Sequence, residues 1–362
     1  MPTLQSRDIG IAFDMCGCPN RCRHCWLGCG TNKKMTEAEL RWAVKQFRKY
    51  VKSGENKPFV GKLSVLSWFR EPDYSDNYEK LYGIEDELSD GKPARFELLS
   101  IWRLARDEKY AEWARKIGPD TCQITLFGME ETTDWFYRRE GAFQDCIKAT
   151  ERLLDVGMKP RWQIFLTKKL IPEIANVLEL VDKMRLKERV KALGGEFVEY
   201  IHLPGPDGEA GKIEYLRPTI EQVKSIPAET VKSSKKHFKS KKLWYTEDEL
   251  ISQILIEEDS LTNWSSYSDR LWFFVDTNWN VFSNLGSLEP WWKLGSLKTD
   301  TLENIFDNFE NNKILALQVV YSDSAKRLAE CFGNPCSKLI YSSKQDLLAL
   351  WIDKYCKKYY TK

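Results

Sequence analysis

Half of the ten cysteines fall in one short stretch: Cys16, Cys18, Cys22, Cys25 and Cys29. In an oxidising compartment such a cluster reads as a disulfide framework; in a reducing one it more often binds metal. The start, Met1 to Asp8, has no basic flank leading into an apolar core, so no signal peptide is expected. No apolar run approaches the roughly 18 residues that span a bilayer. The expected location is therefore the cytoplasm, where thiols stay reduced. With 55 basic and 53 acidic side chains the net charge is +2, which points to neither nucleic acid nor a membrane surface as partner.

Strand-like runs alternate with amphipathic helical stretches along the first part of the chain. Strands are expected at 8–15, 62–67, 95–100, 121–127, 161–167 and 196–203. A helix should begin near Thr36, where Thr36 and Glu39 form a capping box. Others are expected at 142–156, ended by Gly157, and at 172–186. Six strands in such alternation imply parallel β-α units, in an open doubly wound sheet or a partial barrel. Either way, ligands sit at the C-terminal ends of the strands, and the cysteine loop leaves the C-terminal end of the first.

After about residue 204 the pattern changes. Pro204-Gly205-Pro206-Asp207-Gly208 is turn-rich, and 232–242 carries Lys232, Lys235, Lys236, Lys239, Lys241 and Lys242. This lysine run reads first as a solvated linker and second as a docking patch for an acidic electron-donor protein. A hairpin is expected at 271–283 with its turn at Asp276–Asn280, and helices at 300–312 and 344–360.

Within the cysteine stretch, Cys18-Pro19-Asn20-Arg21-Cys22-Arg23-His24-Cys25 places three thiols four and three residues apart. A short loop with this spacing can wrap three thiolates around one face of an iron–sulfur cubane, leaving the fourth iron open to a substrate's amine and carboxylate. Pro19 and Asn20 favour the turn. Zinc is the competing occupant, with Cys16, Cys29 or His24 as a fourth ligand, although no second cysteine pair lies at zinc-ribbon distance.

Cys-x3-Cys-x2-Cys just after a first strand, followed by β-α repeats, resembles the radical SAM superfamily. The resemblance implies a partial (β/α)6 TIM-type barrel over 1–226 and a smaller C-terminal α+β extension over 227–362. It implies a [4Fe–4S] cluster on Cys18, Cys22 and Cys25, whose open iron binds S-adenosylmethionine (SAM, AdoMet). One-electron reduction by a donor such as flavodoxin or ferredoxin then yields a 5′-deoxyadenosyl radical that takes a hydrogen atom from the substrate. His24 fills a position near the adenine. Phe69-Arg70-Glu71-Pro72 stands where members carry Gly-Gly-Glu-Pro. Glu71 and Pro72 match and would grip the SAM ammonium group, while both glycines are replaced. By the same resemblance, Gln123 and Thr125 reach the ribose, Arg138 or Arg139 pairs with the carboxylate, and Gln163 and His202 flank the adenine.

The stretch from Phe274 to Leu297 is similar to the SPASM or twitch region of peptide- and natural-product-modifying members, but Asn284 stands near the expected cysteine. Cys331, Cys336 and Cys356 would need a fourth ligand, such as Cys16 or Cys29, to hold a second cluster. Otherwise they are structural thiols, or Cys331 or Cys336 donates a hydrogen atom to a substrate radical, as in some epimerases of the superfamily. The expected substrate is a small natural-product intermediate, oxidised, epimerised or rearranged, because little chain precedes the first strand. Peptide modification is the rival activity. A non-catalytic iron–sulfur or zinc protein is the reading from another class.

Overall fold

The computed structural model describes residues 8–14, 17–28, 33–66, 71, 73–91, 98–206, 208–257, 271–283 and 288–360. Cys16, Cys29, Phe69, Arg70, Pro72, Asn284 and the first half of the strand expected at 95–100 lie outside them, and 98–100 form no strand.

The first half contains β1 (Ile9–Phe13), α1 (Glu37–Lys49), β2 (Leu63–Leu66), α2 (Tyr78–Leu88), the single turn α3 (Ile101–Leu104) and α4 (Glu108–Ile117). Then come β3 (Thr121–Leu126), α5 (Glu130–Tyr137), α6 (Ala142–Asp155), β4 (Lys159–Phe165), α7 (Ile174–Lys183), α8 (Leu186–Ala192) and β5 (Val198–His202). The second half holds α9 (Ala228–Phe238), β6 (Tyr245–Thr246), α10 (Glu247–Ile256), β7 (Leu271–Val275), β8 (Asn280–Phe282) and β9 (Lys293–Ser296). It ends with α11 (Leu302–Glu310), α12 (Leu315–Ser322), α13 (Ala325–Phe332), β10 (Ile340–Tyr341) and α14 (Lys344–Tyr359).

Local chemistry sets these limits. Thr36 Oγ1 accepts from Glu39 N at 3.2 Å and Glu39 Oε2 accepts from Thr36 N at 2.7 Å, so the predicted capping box starts α1. Gly157, at φ +74°, stops α6 where the sequence placed the stop. The helix predicted over 172–186 is shorter, because Arg185 adopts φ +53° and starts α8.

All five residues of β1 are buried, so both faces are covered and both edges need partners. β2 pairs in parallel on one edge, with Ile9 opposite Leu63. On the other edge lies β7, also parallel, with Ile9 opposite Leu271. The predicted hairpin at 271–283 therefore forms as β7 and β8, and it extends the sheet of β1 in the order β2-β1-β7-β8-β9. Asp276 Oδ1 accepts from the backbone N–H of Asn278 and Asn280, which closes the turn. Gly10 faces Trp272 across the β1–β7 pair, and a Cβ there would sit 2.3 Å from the indole.

A second sheet, β3-β4-β5, is parallel throughout. Its buried face packs Trp162 and Ile164 against α6, where Trp162 Nε1 donates to the buried Thr150 hydroxyl at 3.1 Å. The segment read as a solvated linker is largely α9. Ser234 and Thr230 are buried four residues apart and face β5. Ser234 Oγ accepts from Ile201 N–H at 2.9 Å, and Ser233 Oγ donates to Glu199 C=O at 2.6 Å. These hydroxyls close the outer edge of β5. Farther on, Arg217 makes a buried, bidentate pair with Asp346 at 2.9 and 3.0 Å and donates to Pro204 C=O, tying the segment after β5 to the start of α14.

Gly10→Ala is expected to destabilise the protein by about 1–3 kcal/mol in urea unfolding, the usual cost of overpacking. Trp272→Ala removes the ring that Cβ would meet, so Gly10→Ala should cost markedly less in that background. Equal cost in both backgrounds would count against the β1–β7 register.

Candidate functional site

The cysteine loop leaves β1 and has no regular structure; other segments shape it. Arg21 N donates to Tyr137 C=O at 3.2 Å and Arg23 N to Phe136 C=O at 2.8 Å, so the loop lies along the end of α5. Arg23 also stacks its guanidinium 3.9 Å from the Trp135 ring centre and donates to Trp135 C=O. From the other side, Glu209 N donates to Cys25 C=O at 2.9 Å. Gly208, at φ +59°, passes so close that a Cβ would lie 2.4 Å from Trp26 C=O and 2.7 Å from Cys25 C=O.

Cys18, Cys22 and Cys25 are half-buried on this loop. The Cys22 thiol is held well above its usual range by burial first, then by the charges of Cys18, Cys25 and Glu71, so the four groups share one electrostatic environment. Among the described residues, no three His, Cys, Asp or Glu side chains converge on the position of one metal ion. A cubane asks for something else: three thiolates spread over three irons. The donor chemistry and the common loop fit such a cluster.

Glu71 is buried, and burial raises its carboxyl above the ordinary range, against the pull of its hydrogen bonds. Its Oε1 accepts from Ser100 Oγ at 2.8 Å and Trp102 N at 3.0 Å. Asn20, inside the cysteine loop, links two candidate residues. Its Nδ2 donates to Glu71 Oε2 at 3.5 Å and its Oδ1 accepts from Arg139 Nε at 2.6 Å. Arg139 pairs onward with the buried Asp145 at 2.7 Å. Arg138, the alternative carboxylate partner, is turned to Glu209 at 3.1 Å.

One face of β3-β4-β5 gathers the remaining polar candidates. Gln123 Nε2 donates to Gln163 Oε1 at 2.6 Å, and Thr125 Oγ1 donates to the same oxygen at 3.4 Å. Gln123 Oε1 accepts from Arg161 and from the Tyr200 hydroxyl at 2.5 Å. Past this polar ladder, toward the strand ends, the surface turns aromatic. His24 packs 4.5 Å from Phe127 and 4.9 Å from Phe165, and His202 lies 5.7 Å from Phe165. Burial lowers His24 to about 3 and also lowers His202, so both imidazoles are neutral. Among the described residues, Nδ1 of each is buried without a hydrogen-bond partner. Two neutral rings with unused polar atoms suit a flat, hydrogen-bonding ligand such as a nucleobase.

The C-terminal cysteines differ in their surroundings. Cys331 and Cys336 are exposed, on α13 and the loop after it, whereas Cys356 is buried on α14, where burial pushes its thiol up to about 12. Sequence reasoning passed over Asn20 as a turn former and missed Glu209, Phe127, Phe165 and Tyr200. Of these, only Phe127 and Phe165 had a signal, their places at the ends of predicted strands.

No protein-family model matches the sequence, and no curated protein matches it either. Solved structures share the fold over nearly the whole chain. Native anSMEcpe with bound AdoMet aligns over 97% of each chain at 14% identity and a TM-score of 0.50. The same protein with AdoMet and the Cp18Cys peptide aligns over 97% of each chain at 14% identity and 0.51. With AdoMet and the Kp18Cys peptide it aligns over 97% of each chain at 13% identity and 0.52. The likeness is one of fold, spans the C-terminal region as well as the sheets, and agrees with the radical SAM resemblance of the sequence.

Asn20→Ala strips partners from both Arg139 and Glu71. It is expected to cost about 1–3 kcal/mol in urea unfolding, the penalty for buried polar groups left unpaired. An unchanged midpoint would show that Asn20 does not join them.

Proposed function

We propose that this chain is a radical SAM enzyme that acts on a peptide. The observation that carries the first part is that Cys18, Cys22 and Cys25 lie half-buried on the loop that leaves β1, and that Asn20 of the same loop bonds Glu71 from beyond β2. The three thiolates would hold a [4Fe–4S] cluster, and β1, β2 and β3-β4-β5 would be strands of a partial barrel around it. When bound and reduced, that cluster supplies the electron that cleaves AdoMet to methionine and a 5′-deoxyadenosyl radical.

The chain's own residues prepare the place. Glu71, buried and fixed by Ser100 and the Trp102 N–H, offers its remaining acceptor capacity to an ammonium group, whose charge would favour the ionised carboxylate. Arg139, steadied by Asn20 and Asp145, and Arg138, paired with Glu209, are cations beside the loop that suit a carboxylate. Gln123, Thr125 and Gln163 form a joined polar ladder suited to ribose hydroxyls. His24 and His202 offer neutral rings to the adenine, and the surrounding phenylalanines exclude water from it.

Sequence alone favoured a small natural-product intermediate as substrate. The fold comparison supports the rival reading, because the similar structures hold peptides together with AdoMet. Among the described residues no helix is long and apolar enough to cross a membrane.

The protein reconstituted with iron and sulfide without oxygen should carry about four irons per chain. On reduction it should form 5′-deoxyadenosine from AdoMet. Cys18→Ala, Cys22→Ala and Cys25→Ala should each abolish this, and retained cleavage in all three would remove them as ligands. A colourless, zinc-loaded protein without cleavage would overturn the enzyme reading. Cysteine-containing peptides should stimulate 5′-deoxyadenosine formation and lose hydrogen by mass spectrometry; turnover of small molecules alone would restore the other substrate class.

A further inference from the structure

The lysine run at 232–242 lies outside the candidate site. The structure places it on and just beyond α9, with Lys232, Lys235, Lys236, Lys239, Lys241 and Lys242 all exposed. Lys236 is paired with Glu196 and Lys242 with Glu249. Among the described residues the other four make no ion pair, so a net positive field remains on this face.

The end of the same helix reaches inward. Phe238 is 39% exposed among these lysines, and its ring lies 5.5 Å from His202. His202 lies 5.7 Å from Phe165, and Phe165 lies 4.9 Å from His24. His24 stands in the chain between Cys22 and Cys25. An unbroken series of ring contacts therefore runs from a positively charged surface to the loop proposed to hold the cluster. Electron tunnelling weakens exponentially with distance, and a contiguous packed path conducts better than one with gaps.

We infer that the lysine face of α9 docks an acidic one-electron carrier protein, and that Phe238, His202, Phe165 and His24 form the path by which its electron enters. This rests on the radical SAM reading above. The carrier is oxidised by one electron, the cluster is reduced by one, and no proton or group is transferred. An acidic peptide substrate is the competing occupant of the patch. The ring contacts favour the carrier, since an electron donor can use them from the surface without itself having to reach the adenine site.

The test follows bleaching of the reconstituted cluster by stopped flow, with reduced flavodoxin as the probe and dithionite as the control. In Lys235→Glu/Lys239→Glu, reduction by flavodoxin should slow about tenfold or more and lose much of its salt dependence, while the dithionite rate holds. Lys235→Gln/Lys239→Gln should fall between this variant and wild type, which separates charge from damage to the helix. Calorimetry with the cluster-free protein should show flavodoxin affinity falling in the same order. Phe238→Leu should retain that affinity and slow the electron step. Unchanged flavodoxin rates and affinities in the lysine variants would overturn the proposal, as would weakened binding of a peptide substrate with flavodoxin unaffected. Failure of dithionite to bleach the wild type would instead strike at the cluster reading.

Discussion

The cysteine loop depends on main-chain bonds to segments far away in sequence. A loop of this kind cannot fix its own shape, because it has neither a ladder nor a helix to satisfy its backbone. The end of α5 holds Arg21 and Arg23 on one side, and Glu209 holds Cys25 on the other. Each clamp is itself anchored. α5 leads directly into α6 on the sheet β3-β4-β5, and the stretch carrying Glu209 is tied through Arg217 to Asp346 of α14. The spacing of three thiols is thus a product of the whole fold.

Burial of β1 is the second constraint. A fully buried strand must find partners on both edges, and β7 supplies the one that β2 does not. The C-terminal region is consequently part of the support for the strand from which the cysteine loop springs. Gly10 marks how close that join is, since Trp272 takes the volume a side chain would need.

Much of this was legible in the sequence, for identifiable reasons. The three cysteines and Glu71 stand out as candidates because their spacing and position relative to strands are local properties. The capping box at Thr36 and the stop at Gly157 are local too. Asn20 and Glu209 were not found, because their roles come from partners 51 or more residues away, such as Glu71 and Arg139 for the one and Arg138 for the other. The helix α9 was taken for a linker because its buried face is made of Thr230 and Ser234, not of apolar residues, so the periodicity that marks a helix was missing. The edge pairing of β7 with β1 was invisible for the same reason that all long-range pairing is: nothing in either strand names its neighbour.

The serine hydroxyls on α9 have a consequence for how the peptide substrate proposed above would be received. Many proteins capture extended peptides by letting them complete a sheet, matching backbone to backbone with little regard for sequence. At β5 that offer is withdrawn, since Ser233 and Ser234 already occupy the carbonyl and the amide that a visiting strand would use. A guest arriving at this side must be read through its side chains, which makes selectivity there a matter of residue identity instead of backbone fit.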